Sequence, residues 1–333
     1  MAKISIYSPI NAPHFKILWT NAAHPDLSSA ESIVPQGDGV IRKMASARDA
    51  LYVVLADGVT QRLLRVSYGA NPNVETLTLP VEGGVDLFGV DPRVPGALMS
   101  LGSWTRSSTL IYAYDAQAKR FDDTKLQPAG PYDLPENIKS VEVKARSYDG
   151  TLIPLSIVYP KTLKLNGSSP TELYGYGAYG SSEDPGFSPF LLAWYERQGV
   201  HAVCHVRGGG EYGEDWHLAG KGANKRNSWL DFIACAQYLI DEKYTSPAFL
   251  AARGASAGGI LVGRAITERP DLFGAAWIDV GVLDTLRFET TANGATNIPE
   301  LGSTKTKEGF EALYAMSSYH HVKDHTRYPA VLL

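Results

Sequence analysis

The feature that most restricts the fold of this chain is a five-residue pattern, Gly254-Ala-Ser-Ala-Gly258. A β-type run at residues 249–253 precedes it, and an apolar run typical of a helix, residues 260–267, follows it. Such a connection holds the central serine in a tight, strained turn, where small flanking residues let the helix pass close to the strand. The context therefore predicts that Ser256 projects from a nucleophile elbow. The competing interpretation is a glycine-rich loop with an incidental serine.

A serine hydroxyl at neutral pH needs a neighbouring base and preorganised donors for the oxyanion before it acts as a nucleophile. One donor comes with the elbow, because the N–H of Ala257 lies at the start of the following helix. The second donor is expected from the exit loop of an earlier strand, which reads Leu173-Tyr-Gly-Tyr-Gly-Ala-Tyr-Gly180. The pattern thus predicts where an oxyanion site would form.

The same loop contains Gly175-x-Gly177-x-x-Gly180, which has the form of a dinucleotide-binding fingerprint. That fingerprint requires a helix that begins inside the motif and an acidic residue about 20 residues further on. Residues 181–186 read Ser-Ser-Glu-Asp-Pro-Gly instead, which predicts a turn. We therefore expect no nucleotide here and no cofactor elsewhere, and Gly208-Gly-Gly210 is likewise predicted to be a loop.

Residues 136–333 alternate between strand-like and helix-like segments. A hairpin is predicted around Asp149-Gly150, and the predicted strands are 140–146, 151–159, 172–176, 200–206, 249–253, 275–280 and 330–333. Predicted helices include 190–198 and one that begins with a capping box at Ser228 and Asp231. This alternation is typical of an α/β fold, in which helices cover both faces of a mainly parallel sheet.

Residues 40–125 form a different pattern, a series of short β-rich runs broken by turn residues such as Asp57-Gly58. The runs are 51–56, 61–67, 97–102 and 109–115. Leu51 and Leu98 are 47 residues apart, and Leu63 and Ile111 are 48 apart, a spacing compatible with β-propeller blades of about 40–50 residues. A β-sandwich explains this spacing equally well. A proline-rich connection then marks the expected boundary between a β-rich domain at 1–130 and an α/β domain at 136–333.

Composition excludes several classes of protein. The 333 residues carry 31 basic and 35 acidic side chains, a net charge of -4, so neither a nucleic-acid nor a membrane-surface partner is indicated. Cys204 and Cys235 lie in apolar runs, where we expect free buried thiols and no disulfide framework. No apolar stretch is long enough to span a membrane, no leader is visible, and a cytoplasmic location is expected. His321 and His325 have metal-ligand spacing in an unsuitable context, so no metal is expected.

Several motifs in order resemble those of the prolyl oligopeptidase family of serine peptidases. They are Leu173-Tyr-Gly-Tyr-Gly177, Val206-Arg-Gly-Gly-Gly-Glu-Tyr-Gly213 with Trp216-His217, Ala223-Asn-Lys225, Tyr244-Thr-Ser-Pro247, Gly254-Ala-Ser-Ala-Gly-Gly259 and Arg269-Pro-Asp-Leu-Phe-Gly274. The resemblance covers about 140–333 well and the first 130 residues loosely. It implies an α/β-hydrolase catalytic domain, incomplete here, preceded by the last antiparallel blades of a seven-bladed β-propeller.

The resemblance also implies roles for individual residues. Ser256 would be the nucleophile, and the oxyanion would be bound by the Ala257 N–H and the Tyr176 phenol. Tyr179 falls where the family has a phenylalanine in the pocket for the substrate residue before the cut. Asn297 falls where the family has an aromatic residue, usually tryptophan, that stacks on the substrate proline. A strict preference for proline is therefore not expected.

The acid and histidine of a catalytic triad follow the nucleophile in the chain order Ser, Asp, His. By the resemblance they should come after the last predicted strand, so we expect them to be absent from this chain, which would be truncated at its C-terminus and also at its N-terminus. The histidines after Ser256 are His320, His321 and His325, predicted to lie in a solvated connection. Asp279 and Asp284 are weaker candidates for a substitute acid.

The sequence thus predicts an oligopeptidase-type serine hydrolase that cleaves short peptides through an acyl-enzyme on Ser256, with little activity in this chain alone. A peptide substrate is the expected partner. Two alternatives stay open. One is an esterase or acylaminoacyl-type hydrolase on the same scaffold, which would use the same constellation. The other is a non-catalytic remnant whose β-rich half binds a partner.

Overall fold

A computed structural model of the chain describes residues 3–107, 111–128 and 130–333. Two compact units can be distinguished. The first unit consists of the residues up to Pro135 together with Asp184–Pro189 and Tyr212–Glu214, and the second consists of Glu136–Glu183, Phe190–Glu211 and Asp215–Leu333. The two units differ in architecture and are described separately.

The first unit contains three antiparallel sheets, each a simple meander of strands consecutive in sequence. The sheets are β1–β3, β4–β7 and β8–β11. Their strands are β1 (Lys3–Ser8), β2 (Lys16–Asn21), β3 (Glu31–Val34), β4 (Val40–Ser46), β5 (Ala50–Asp57), β6 (Thr60–Ser67), β7 (Val74–Leu77), β8 (Gly84–Gly89), β9 (Ala97–Gly102), β10 (Ile111–Asp115) and β11 (Arg120–Asp123). Separate four-stranded meanders are typical of propeller blades rather than of a sandwich, whose two sheets exchange strands.

Local sequence explains why these strands form. Gly58 adopts a positive φ of 66° in the turn that joins β5 and β6, and the two strands pair from Ala50↔Ser67 to Asp57↔Thr60. The predicted runs 51–56, 61–67 and 97–102 correspond to β5, β6 and β9. The predicted run 109–115 corresponds to β10, and its first two residues lie outside the described residues. Apolar side chains from neighbouring sheets meet in two clusters, one between the first and second sheets and one between the second and third.

The second unit is built on a seven-stranded sheet in the order β12-β13-β15-β14-β16-β17-β18. Its strands are β12 (Ile138–Arg146), β13 (Leu152–Pro160), β14 (Thr171–Tyr174), β15 (Val200–Cys204), β16 (Leu250–Ala255), β17 (Ala275–Asp279) and β18 (Ala330–Leu332). The first two strands are antiparallel to their neighbours, and the remaining five run parallel. The carboxyl ends of the parallel strands therefore meet at one edge, where α/β proteins place their sites.

Seven α-helices connect or cover these strands. They are α1 (Leu192–Tyr195), α2 (Glu214–Leu218), α3 (Arg226–Asp241), α4 (Gly258–Glu268), α5 (Thr285–Phe288), α6 (Ile298–Leu301) and α7 (Lys307–Met316). Helix α3 buries Trp229, Phe232, Ala236 and Leu239 against the sheet, as its apolar spacing predicts. The predicted helix 190–198 is shorter, since only a 3-10 turn and the four residues of α1 are helical.

Two local predictions in this unit are wrong. The capping box at Ser228 and Asp231 does not form, because α3 already begins at Arg226 and both side chains bind Arg207 instead. Cys204 and Cys235 are not free thiols, because a disulfide joins them across a Cα separation of 6.2 Å. The bond ties β15 to α3 inside the apolar core. No helix within the described ranges is both long and apolar enough to cross a membrane.

Candidate active site

Ser256 occupies the turn between β16 and α4, the strand–turn–helix arrangement that the five-residue pattern predicts. Its φ is 52°, a left-handed conformation that an L-residue adopts at a cost of about 1–3 kcal/mol and that surrounding structure must therefore maintain. The Ser256 N–H donates to the Asp279 carbonyl at 2.9 Å, and the Val282 N–H donates to the Ser256 carbonyl at 3.0 Å. These bonds fix the backbone of the turn, while the Ser256 side chain is exposed.

The flanking glycines are required by close contacts. A Cβ at Gly254 would lie 2.6 Å from the Gly258 carbonyl oxygen, and one at Gly259 would lie 2.6 Å from the Cα of Gly281. Because these side chains are absent, helix α4 can pass close to the end of β16 at Gly254 and close to the segment after β17 at Gly281. The pattern around Ser256 therefore reflects the geometry of the elbow.

We call residues 175–180, Gly-Tyr-Gly-Ala-Tyr-Gly, the tyrosine loop. Strand β14 ends at Tyr174, two residues earlier than predicted, so Tyr176 belongs to this loop. The Tyr176 hydroxyl lies close to the side chain of Ser256. Partial burial raises the pKa of Tyr176, and the proximity of Ser256 acts in the opposite direction. The phenol is thus protonated at neutral pH and can donate to negative charge that develops beside the serine.

The other predicted donor, the Ala257 N–H, belongs to the residue that follows the serine. Ala257 is buried and immediately precedes Gly258, the first residue of α4. Amides in the first turn of a helix have no partner within the helix, and the helix dipole favours negative charge there. The geometry thus offers two donors of different kinds, a phenol and a backbone amide, next to one hydroxyl.

Tyr179 and Asn297 lie together beside this pair. The Tyr179 ring centroid is 6.5 Å from that of Tyr176, and the Tyr179 hydroxyl donates to the side-chain oxygen of Asn297. The Asn297 amide nitrogen in turn donates to the Asn293 carbonyl at 2.7 Å. Tyr179 remains 42% exposed, so its ring presents a surface to solvent next to Tyr176. The two residues assigned to substrate contact are in direct contact with each other.

Three charged or ionisable side chains next to the tyrosine loop have no predicted role, and two of them, Lys225 and Glu300, are buried. The Glu300 carboxylate accepts the Tyr179 N–H at 2.8 Å and lies 2.8 Å from His217 Nε2. The Lys225 ammonium donates to the Gly177 carbonyl. His217 and Lys225 do occur in motifs that resemble the family, Trp216-His217 and Ala223-Asn-Lys225, which is the signal that could have identified them.

The candidate triad members after Ser256 make other contacts. His320 Nδ1 lies 2.7 Å from the Ser317 hydroxyl, and His321 Nδ1 lies 2.8 Å from the Ser317 carbonyl. The Asp279 carboxylate accepts from the Trp277 indole, and Asp284 caps α5 by accepting from a backbone N–H. Across the described part of the chain, no three His, Cys, Asp or Glu side chains are grouped so that they could hold a metal ion.

Comparison with known proteins extends this description. The model of the prolyl oligopeptidase family matches residues 185–333. The chain is 33% identical over 330 residues to the prolyl endopeptidase of Elizabethkingia meningoseptica, covering 98% of this chain and 46% of that protein. It is 31% identical over 333 residues to a dual function macrocyclase-peptidase of Galerina marginata, covering 99% of this chain and 46% of that protein. The chain thus spans about half the length of the curated relatives it matches.

Solved structures agree with the sequence relatives. A structure from a study of two prolyl endopeptidases superimposes with a TM-score of 0.91 at 34% identity, covering 99% of this chain and 48% of that one. Oligopeptidase B from Trypanosoma brucei with covalently bound antipain gives a TM-score of 0.90 at 27% identity, covering 99% and 48%. Both units are included in these superpositions, because almost the whole chain is covered.

Proposed function

The chain belongs to the prolyl oligopeptidase family, and from that premise we propose that the protein is a serine peptidase that hydrolyses short peptides through an acyl-enzyme on Ser256. The fold is that of the family, an α/β-hydrolase domain preceded by β-propeller blades. One observation carries the proposal: Ser256 projects from a strained elbow, with the Tyr176 phenol close to its side chain. We include in the proposal the assignment of residues 1–130 to the blades and 136–333 to the catalytic domain.

In the proposed reaction Ser256 Oγ attacks the carbonyl carbon of the scissile peptide bond, and its proton passes to a histidine base. In α/β-hydrolases this base follows the nucleophile in the chain. The carbonyl oxygen becomes an oxyanion, which accepts hydrogen bonds from the Tyr176 hydroxyl and the Ala257 N–H. Collapse of the tetrahedral intermediate releases the amine with the transferred proton, and water then hydrolyses the ester on Ser256.

We propose that Tyr179 and Asn297 border the pocket for the substrate residue before the cut. The hydrogen bond between them makes one wall of this pocket polar. A proline ring would find the Tyr179 ring there, but it would meet an amide where the family usually supplies a second aromatic face. We therefore propose that the pocket accepts residues other than proline and that short peptides are the substrates.

A cytoplasmic location is the remaining part of the proposal, and the Cys204–Cys235 disulfide bears on it. Disulfides persist mainly in oxidising compartments and are rare in the cytosol. Thiol alkylation of freshly lysed cells followed by mass measurement distinguishes the two states. Alkylated Cys204 and Cys235 support the cytoplasm, and an intact disulfide contradicts it.

The test of function uses the protein expressed from its complete reading frame. We expect hydrolysis of short chromogenic peptides that Ser256→Ala reduces by at least about 10³-fold without loss of fold, because the variant lacks the nucleophile. Peptidase activity that survives in Ser256→Ala contradicts the proposal. Ester hydrolysis without peptide hydrolysis would support the esterase alternative instead.

A second substitution tests the oxyanion assignment. Tyr176→Phe removes one hydroxyl, and we expect kcat to fall by about 10²–10³-fold with a much smaller change in KM, because the donor acts on charge that exists only in the transition state. Steady-state kinetics at several substrate concentrations measure both quantities. An unchanged kcat would show that the phenol is not an oxyanion donor.

A further inference from the structure

The backbone of the tyrosine loop adopts conformations that other residues must stabilise. Gly177, Tyr179 and Gly180 have positive φ values of 68°, 59° and 62°. Glycine adopts this region at no steric cost, but Tyr179 has a Cβ and is strained there by about 1–2 kcal/mol. Such conformations persist where surrounding groups determine them. We therefore expect that residues outside the tyrosine loop stabilise the backbone that places Tyr176 beside Ser256.

The groups that hold it bind the loop backbone. The Gly175 N–H donates to the Arg253 carbonyl at 3.2 Å, and the Gly180 N–H donates to the Gly208 carbonyl at 3.1 Å, which fixes the two ends. Between them, the Lys225 ammonium donates to the Gly177 carbonyl, and Glu300 accepts the N–H of Tyr179. Tyr176 lies between Gly175 and Gly177, two residues whose peptide groups are held in this way, and three residues before the Tyr179 N–H that Glu300 binds.

Lys225 and Glu300, the two anchors of the loop, are buried charges of opposite sign. Lys225 is 1% exposed and Glu300 is 5% exposed. An ion buried to this degree is costly unless it is paired and hydrogen-bonded. Burial alone would raise the pKa of Glu300, but hydrogen bonds from His217 and the Tyr179 N–H outweigh it, and the pKa lies below its usual range. Glu300 is thus ionised, and His217 Nε2 carries the proton of their hydrogen bond.

We propose that Glu300 is a positioning residue for catalysis: its carboxylate, oriented by His217, fixes the Tyr179 backbone and thereby keeps the Tyr176 hydroxyl against Ser256. The inference rests on the proposed function, since it concerns the oxyanion donor of that reaction. Glu300 itself touches no reacting atom, because its carboxylate oxygens are directed to Tyr179 N–H and His217. Its effect is transmitted through the loop backbone.

Asn297 provides a matched control from the same segment of chain. It also contacts Tyr179, but through the exposed side-chain hydroxyl and not through the backbone. If backbone anchoring matters, Glu300→Ala lowers kcat, by about 10–100-fold given the sensitivity of catalysis to displacements of 1 Å. Asn297→Ala removes only a contact to the Tyr179 side chain, so hydrogen exchange of the Tyr179 amide should stay near that of the wild type.

The decisive experiment is a double-mutant cycle on the protein expressed from its complete reading frame. If Glu300 acts through Tyr176, then Glu300→Ala in a Tyr176→Phe background lowers kcat by less than about three-fold, because the donor it positions is already absent. Equal losses of kcat in the two backgrounds overturn the proposal. Glu300→Gln keeps a carbonyl acceptor for the Tyr179 N–H, so it should retain most of kcat, and a loss as large as that of Glu300→Ala also overturns it.

Hydrogen exchange of the Tyr179 amide separates this inference from the proposed function. Faster exchange in Glu300→Ala and near wild-type exchange in Glu300→Gln support the anchor, whether or not the protein turns over peptides. Unchanged exchange in Glu300→Ala overturns it. Absence of Ser256-dependent turnover in the wild type would refute the proposed function alone. If Glu300→Ala leaves Lys225 uncompensated and does not fold, Glu300→Asp, which keeps the charge on a shorter side chain, replaces it in the cycle.

Discussion

The two units of the chain bury different kinds of side chain. In the first unit, which we call the blade-like unit, the buried residues are mostly apolar, and Asp133 is the one buried charged residue among those the structure describes there. The second unit, which we call the catalytic unit after its proposed function, buries more charged or titratable side chains. They are His205, Arg207, Glu211, Lys225, Asp231, Arg264 and Glu300.

The difference reflects which backbone segments the buried side chains of each unit must stabilise. Apolar packing between sheets is non-directional, and it stabilises strands that already satisfy their own backbone bonds. Loops at the carboxyl edge of the parallel sheet have no such ladder, so their carbonyls and amides need partners that point at one atom. The buried charges of the catalytic unit supply these partners, as Lys225 does for the Gly177 carbonyl and Asp231 does for the Arg207 N–H.

The largest expected effect on stability comes from the Arg207–Asp231 pair. The Asp231 carboxylate accepts from the Arg207 side chain at 2.6 and 2.8 Å and from the Ser147 hydroxyl at 2.6 Å. Asp231→Ala leaves the guanidinium buried with only Asp149 as a counter-charge, which we expect to destabilise the catalytic unit by about 3–5 kcal/mol. Native-state hydrogen exchange of the β13 and β15 amides measures this unit separately.

Asp271→Ala is the matched control, because Arg269 and Asp271 form an equally close pair that is largely exposed. We expect it to cost less than about 1 kcal/mol. Equal losses of stability in Asp231→Ala and Asp271→Ala would contradict the difference between the units, since burial would then not determine how much a charged pair contributes to stability.

The next effect is a pH dependence that involves Lys225. Burial lowers its pKa from the ordinary 10.5 to about 8, against the opposing influence of Glu300. Between these two pH values the unfolded chain binds more protons than the native one, so this lysine makes the native state more stable as pH rises from 8 to 10.5. The free energy of unfolding of the wild type should gain roughly 3 kcal/mol over that range relative to Lys225→Met.

Urea unfolding of the two proteins, followed by exchange of the catalytic-unit amides at each pH, gives this difference directly. Subtraction removes the titration of tyrosines and other groups that both proteins share. If the difference in unfolding free energy between wild type and Lys225→Met did not change with pH, burial would not lower the pKa of Lys225 as the structure indicates.

The smallest effect is expected in the blade-like unit. Ile41 is 1% exposed in the apolar cluster between the first two sheets, and Ile41→Val should cost about 0.5–1.5 kcal/mol in the exchange of β4 and β5 amides. Ile4→Val removes the same methyl group from a residue that is 37% exposed and should have almost no effect. A loss of more than about 3 kcal/mol for Ile41→Val would contradict this order of effects, because apolar packing would then contribute as much to stability as a buried charged pair.

Much of this architecture is predictable from local sequence. The elbow at Ser256 is specified within some 20 residues, because strand, turn and helix are contiguous and their glycines have a direct steric reason. The hairpin of β5 and β6 is predictable for the same reason, since both strands flank one turn. The predicted runs do not include β1–β4, β7, β8 or β11, most of which are only four to six residues long.

The rest depends on contacts distant in sequence. Glu300 lies 121 residues from Tyr179, and Lys225 lies 48 residues from Gly177, so neither has a local pattern that reveals its partner. The same physics explains the incorrect capping box. Ser228 and Asp231 have the right spacing for a helix start, but tertiary bonds to Arg207 use both side chains inside the helix. Local preference was overridden by a buried charge.

Glu300 and Lys225 bind the peptide groups of the tyrosine loop. The side chain at position 179 is therefore not needed to stabilise the loop backbone. In the proposed peptidase, substrate choice and charge stabilisation are therefore separable traits. A lineage, or a directed-evolution library, that varies Tyr179 and Asn297 can explore new cleavage preferences while each variant inherits an intact oxyanion donor. Because the loop backbone is anchored, residues of the proposed specificity pocket can change without displacing the proposed oxyanion donor.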